Sequence, residues 1–214
     1  KDAEGAQNGA LVLKPVFSPD FRTTDGQKFD FISGRINTKS KAEFTSGTIS
    51  ARIKLTKGAG LWPAWWLLGN GNWPETGEID IMEYVGETDW VSSAVHGKGY
   101  SGDAGIVDRL YFPGNNDATQ WHIYSVDWTA ESMVFKYDDV PVLRVTKPMT
   151  QFFGEWAFSN PKYLILNFAV GGVHPFKVNG IKEPYYGLSA TTLESIKSGK
   201  SKMLVDWVMV KKTE

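Results

Sequence analysis

In Thr48-Ile49-Ser50-Ala51-Arg52-Ile53-Lys54-Leu55 the apolar residues fall on odd positions and the polar ones on even positions. That two-residue period marks a strand with one face in a core and the other in water. Runs of similar character recur at 11–16, 91–96, 123–128, 163–170 and 203–210. Residues 133–137 and 140–145 flank Asp138-Asp139 as a hairpin, with Pro141 marking an edge or irregular strand because it has no N–H to give to a ladder. Helical periodicity is nearly absent; the one candidate is a short turn capped by Ser189, carrying Leu193 and Ile196 and stopped by Gly199. Many short strands joined by Gly-rich turns predict an all-β chain folded as a two-sheet sandwich, in which one sheet can curl into a long concave face.

The composition narrows the function. A chain of 214 residues that is 42% hydrophobic and 22% charged suits one globular domain over 1–214. Its net charge of -1 offers no basic face for a phosphate backbone, so nucleic acid is excluded as a partner. With no cysteine there is no disulfide framework, thiolate zinc site or Cys nucleophile. The longest apolar run, Leu61 to Leu68, is far too short for a membrane span. The excess lies in aromatic residues, 14% of the chain with nine Trp, which provide flat apolar platforms.

The segment Gly77-Glu78-Ile79-Asp80-Ile81-Met82-Glu83-Tyr84 carries the chemistry. Strand alternation puts Glu78 and Asp80 on one side and Ile79 and Ile81 on the other. Glu83 has the wrong parity to join the acids, and a carboxylate beside the isoleucines in a core is costly. A one-residue β-bulge between Asp80 and Glu83 removes the conflict and returns Glu83 to the acidic face. Glu78 and Glu83 are then four strand steps apart, ~13 Å between Cα atoms. Leaning side chains on a bent strand can close that to the ~5–5.5 Å of a retaining glycosidase pair. Asp80 between them orients Glu78 and makes it costly for all three acids to ionise together, which keeps one protonated near neutral pH. A bare Glu-x-Asp-x-x-Glu arises by chance in roughly one chain in twenty of this length, so the surroundings matter.

Those surroundings are aromatic. Trp62, Trp65 and Trp66 lie in Gly60-Leu61-Trp62-Pro63-Ala64-Trp65-Trp66-Leu67-Leu68-Gly69, and Trp73-Pro74 precedes Glu78 by five residues. The apolar face of a pyranose stacks on indole, whose N–H also serves a sugar hydroxyl, so an acid pair beside tryptophans suits carbohydrate. Trp65 reads as packing and Trp66 and Trp73 as sugar platforms; Trp121, Trp128, Trp156 and Trp207 read as core or sheet-edge aromatics. His96 stands where it could donate to the carboxylates. Asn167, on an otherwise apolar strand, needs a partner, either a substrate hydroxyl or a core group.

Together these residues resemble glycoside hydrolase family 16, and within it the laminarinase-like endo-β-1,3-glucanases. The resemblance rests on 77–83 in the bulged form of that family's signature. It extends through Ser33-Gly34-Arg35-Ile36, Ala51-Arg52-Ile53-Lys54-Leu55, the tryptophan segment from Gly60, Trp73-Pro74, His96-Gly97, the run from Leu164 to Gly172 and Val205-Asp206-Trp207-Val208. It implies a β-jelly-roll with an open cleft that cuts internal β-1,3 bonds of laminarin-type glucans with retention. Glu78 is then the nucleophile, Glu83 the acid/base and Asp80 the residue that tunes the nucleophile. Arg35, Trp66 and Trp73 match glycone-side sugar contacts, His96 matches a histidine beside the acid/base, and Trp62 and Asn167 join the substrate-binding set.

The family's usual N-terminal strand, with a Trp-x-x-Glu-Phe-like motif, is not matched, and His174 stands where relatives often carry Trp. Catalysis needs no cofactor; a structural calcium ion at Asp206 is left open. The partner implied is a polysaccharide met outside the cell by the mature, secreted chain, acting as a monomer. A non-catalytic glucan-binding protein is one rival. The other is the same chemistry on mixed-linkage glucan, agarose or carrageenan.

Overall fold

The alternation at 48–55 is realised as a strand whose Ile49, Ala51 and Ile53 are fully buried. The computed structural model describes residues 4–212. Among them, strands follow in the order β1 (Leu11–Leu13), β2 (Val16–Arg22), β3 (Lys28–Ile32), β4 (Arg35–Asn37), β5 (Glu43–Phe44), β6 (Gly47–Lys54), β7 (Leu61–Gly69), β8 (Glu78–Glu83), β9 (Trp90–His96), β10 (Ile106–Tyr111), β11 (His122–Trp128), β12 (Ser132–Tyr137), β13 (Val140–Thr146), β14 (Lys162–Val170) and β15 (Met203–Lys211). Helix α1 (Lys147–Phe153) follows β13, α2 (Val173–Asn179) follows β14 and α3 (Ala190–Lys197) precedes β15. A 3-10 turn, Gly102–Ala104, lies between β9 and β10.

Two antiparallel sheets form a jelly-roll-like sandwich. One runs β1-β15-β6-β11-β12-β13 and the other β10-β9-β8-β7-β14-β4, with β5 also pairing β14. Between them lie Ile49, Ile53, Val126 and Phe135 of the first sheet and Trp65, Leu67, Ile79, Ile81 and Val95 of the second, all buried. Burial of this apolar surface is the main favourable term. The outer face of the seven-stranded sheet is thereby left for polar and aromatic side chains.

The hairpin reading holds: Asp138 and Asp139 both take positive φ, as a tight β12–β13 turn requires. β13 is an edge strand whose register shifts near Pro141. Ser189 caps α3 through the Thr192 N–H. The run 11–16 breaks at Pro15: Leu11 to Leu13 pair with β15, while Val16 opens a separate ribbon of β2 and β3. Helices α1 and α2, of seven residues each, are too short to show a period in the sequence.

On β15, Asp206 has its side chain almost wholly buried. Its Oδ2 accepts from Arg52 Nη1 at 2.6 Å and its Oδ1 from the Gln7 N–H at 2.9 Å. Arg52 Nη1 also donates to the Gly5 carbonyl at 3.3 Å, and the guanidinium lies 4.6 Å over Trp121. These residues do not fit a calcium ion. A hard dication needs several free oxygens, and here a guanidinium already neutralises the only carboxylate of the set.

Candidate active site

The bulge that the parity of the acids demands lies in β8. Against β9, Asp80 faces Ala94 and Glu83 faces Ser92, with a register shift between them. Against β7, Asp80 faces Trp66 and Met82 faces Trp65, so Ile81 is the inserted residue. Ile79, Ile81 and Met82 are fully buried in the core, while Glu78, Asp80 and Glu83 line the outer face. Trp62, Ala64 and Trp66 of β7 share that face, whereas Trp65 points inward and is 1% exposed.

Two depressions flank the acids, and Trp62, Glu78 and Glu83 belong to both. One, of about 260 Å³, is completed by Arg35 of β4, Trp66, Asp80 and Asn167 of β14. The other, of about 270 Å³, is completed by Trp73, Trp90, His96, Arg109 and His174. A groove thus crosses the sheet from β4 to β10 with the carboxylates at its middle.

Individual contacts order this groove. Trp62 Nε1 donates to Glu83 Oε1 at 3.0 Å. Trp66 Nε1 donates to Asn167 Oδ1 at 2.6 Å, which answers the need of Asn167 for a partner, and Arg35 lies 4.8 Å over the Trp66 ring. His96 Nε2 is 3.3 Å from Asp80 Oδ2, and the His96 ring is 6.4 Å from Trp73, which is half exposed. Arg35 and Trp66 therefore line one depression and Trp73 the other, since Trp73 rides on the loop before Glu78 at the His96 end of the sheet.

The electrostatics follow from crowding. Burial, then the neighbouring Asp80 carboxylate, push the Glu78 carboxyl up to about 8. Burial likewise pushes Asp80, 3% exposed, well above its ordinary value. Two such crowded carboxyls resist ionising together, so near neutral pH the pair favours keeping a proton. Glu78, Asp80 and His96 are also the one grouping of three or more acid or histidine side chains among the described residues close enough to hold a metal ion. Asp206 lies on the other sheet, away from this site.

Several contributors lay outside the sequence reading. Trp90 and Ser92 share parity with His96 on β9, a signal visible in the sequence; Arg109, 4.2 Å over the Trp90 ring, enters only through the β9–β10 pairing. Lys162 is fully buried at the start of β14 and donates to the Thr76 carbonyl at 2.7 Å, the Ala157 carbonyl at 2.9 Å and Asn160 Oδ1 at 2.6 Å. Burial pushes its ammonium down to about 7. It ties the loop carrying Trp73 to the segment before β14. Gly77 at φ +74 is required there, because a Cβ would meet the Ala157 carbonyl at 2.2 Å.

An ion pair stands beside the second depression, which Asp103 helps to line. The 3-10 turn leaves the sheet after His96, which is paired with Glu78, while α2 leaves it beyond Val170, paired with Leu61 at the Glu83 end of the strands. Lys177 of α2 and Asp103 of the turn nonetheless meet at 2.5 Å. His174, which lines the same depression, packs on Trp62 with ring centroids 5.0 Å apart.

Comparison with known proteins agrees with this geometry. The pattern of glycosyl hydrolases family 16 matches residues 19–183, more than half of the chain. A beta-glucanase of Rhodothermus marinus is 37% identical over 176 residues, covering 77% of this chain and 59% of its own length. A beta-1,3-glucan-binding protein of Penaeus monodon is 32% identical over 211 residues, 82% of this chain and 56% of that protein. The chain thus spans less than two thirds of these curated relatives. The crystal structure of an endo-beta-1,3-glucanase from Pyrococcus furiosus superposes with a TM-score of 0.83 at 36% identity, over 95% of this chain and 74% of that one. With the motif, the sandwich and these similarities in agreement, the chain belongs to glycosyl hydrolases family 16.

Proposed function

We propose that the chain is an endo-acting, retaining glycoside hydrolase that cleaves internal β-1,3-glucosidic bonds of laminarin-type glucans. The observation that carries this reading is the bulged strand, which brings Glu78 and Glu83 onto one face at the middle of an aromatic-lined groove open to both sides. A Glu78 oxygen attacks the anomeric carbon while Glu83 gives its proton to the leaving glycosidic oxygen. That bond breaks and a glycosyl ester on Glu78 forms. Glu83, now a carboxylate held by Trp62, takes a proton from water as the water oxygen attacks the anomeric carbon and frees Glu78. Asp80, next to Glu78 and His96, holds the shared proton while Glu78 is charged.

The similarity to the endo-beta-1,3-glucanase of Pyrococcus furiosus and the beta-glucanase of Rhodothermus marinus supports the linkage. A polymeric substrate favours action outside the cell, and the chain is taken to act as a monomer. The similarity to a glucan-binding protein keeps a second reading, recognition without cleavage. Both carboxylates and their neighbours remain in place, which favours turnover.

Laminarin, lichenan, agarose and carrageenan, scored by reducing ends and product size, test the reading. Release of oligosaccharides from laminarin, lost in Glu78→Gln, is the expected result. Binding to laminarin with no new reducing ends leaves only the recognition reading. Turnover of a galactan in preference to laminarin overturns the substrate.

A further inference from the structure

We propose that Tyr137 and Ser93 form a buried clamp on the bulge of β8 and are positioning residues for Glu83. This inference rests on the role of Glu83 proposed above. In the ladders of β8, Ile81 and Met82 together oppose only Ser93 on the β9 side, and Ile81 has no opposite residue on the β7 side. The carbonyl of the inserted residue therefore lies in a fully buried position outside the regular ladder, where an unpartnered acceptor is costly.

Two hydroxyls converge on it. Ser93 Oγ donates to the Ile81 carbonyl at 2.8 Å, and the Tyr137 hydroxyl stands 3.3 Å from that carbonyl and 2.7 Å from Ser93 Oγ. One proton per hydroxyl fits the sequence Tyr137 O–H to Ser93 Oγ, then Ser93 O–H to the Ile81 carbonyl. Ser93 is 1% exposed and Tyr137 2% exposed, so water does not compete. Burial pushes the Tyr137 phenol up, which keeps it a donor at every working pH.

The origin of Tyr137 gives the contact its meaning. Ser93 comes from the adjacent strand, but Tyr137 is the last residue of β12 in the opposite sheet, and its hydroxyl crosses the core to reach the bulge. The six-stranded sheet thus holds the irregularity that keeps Glu83 facing the groove. If the bulge is lost and the register slips by one residue, Met82 takes the groove face and Glu83 turns toward the core. A buried two-hydroxyl relay selects the bulged register over the regular one.

The test compares two substrates. Laminarin has a sugar leaving group that needs the proton of Glu83; an aryl β-laminaribioside with an acidic dinitrophenol needs almost none. Tyr137→Phe and Ser93→Ala are each expected to lose about tenfold in kcat/KM on laminarin, with KM within about twofold, and less than about twofold on the activated glycoside. Ser93→Thr, which keeps a hydroxyl, is expected to recover most of the loss, and Tyr137→Phe/Ser93→Ala to lose little more than either single variant.

An equal loss on both substrates, or no loss on either, in a variant with an unchanged circular-dichroism spectrum overturns the clamp. Should Tyr137→Phe not fold, the smaller Ser93→Ala change decides on the same criteria. Glu83→Gln run alongside separates the two levels of the argument. If it turns over laminarin normally, the role of Glu83 is wrong; if it fails on laminarin while Tyr137→Phe and Ser93→Ala match the parent, the clamp alone is wrong.

Discussion

Trp62 Nε1 donates a hydrogen bond to Glu83 Oε1 at 3.0 Å, so one indole both floors the groove and holds one of its carboxylates. An N–H donor favours the carboxylate that Glu83 becomes once it has given up its proton. A hydrogen bond to a charged group is worth ~1.5–3 kcal/mol. Trp62→Phe keeps an aromatic surface and removes the donor, so kcat/KM on laminarin is expected to drop by about tenfold or more. Parental kinetics in this variant disprove the contact's role.

The pressure on Glu78 makes a statement about stability. Its carboxyl is pushed up to about 8 from an ordinary 4.5, so the folded chain holds that proton more tightly than the unfolded chain. The stabilisation is complete below pH 4.5 and is lost as the pH rises through about 8. Glu78→Gln is neutral at every pH and keeps it. Thermal unfolding is expected to show the variant near the parent at pH 4 and more stable at pH 8.5, by ~2 kcal/mol or ~4–8 °C. A constant difference across that range contradicts the expectation.

Asp80→Asn removes a charge beside Glu78 and so lets Glu78 ionise at lower pH. The acid limb of the kcat/KM profile is expected to move toward lower pH while the maximum falls, since the partner that shares the proton is gone. A limb that stays in place, or moves upward, refutes the coupling of the two acids.

On the far sheet Arg52 is paired with the buried Asp206 carboxylate. A chelator is expected to leave Tm unchanged within ~1 °C, while Arg52→Gln strands a buried carboxylate and costs ~2–4 kcal/mol. A large fall in Tm on chelation, restored by calcium, reverses this assignment.

Lys162→Met leaves the Ala157 carbonyl and Asn160 Oδ1 without the donor they share. The expected cost is ~3 kcal/mol or ~6–12 °C in Tm. A few-fold rise in KM for laminarin is expected as well, because the loop bearing Trp73 loses its anchor. An unaltered Tm argues that the ammonium holds nothing.

The features legible in the sequence were those carried by one strand at a time. Parity separated Trp65 from Trp66, and it demanded a bulge between Asp80 and Glu83 because an acid at 83 could not join Ile79 and Ile81. Ser189 and the Asp138-Asp139 turn were equally local. Arg109, Lys162 and Tyr137 were not legible, because each acquires its role from an element distant in the chain, and register between strands is not written in either strand alone. The resemblance groups Arg35, Trp66 and Trp73 as glycone-side contacts; in the fold Trp73 lines a depression with His96, and Arg35 and Trp66 the adjoining one with Asn167.

The ion pair of Asp103 and Lys177 ties the turn after β9 to helix α2, two elements that leave the sheet at opposite ends of its strands. Asp103 stands mostly in water and Lys177 about half so, a setting where such pairs hold weakly and dissolved ions compete with them. High salt is therefore expected to loosen this tie between the turn and the helix.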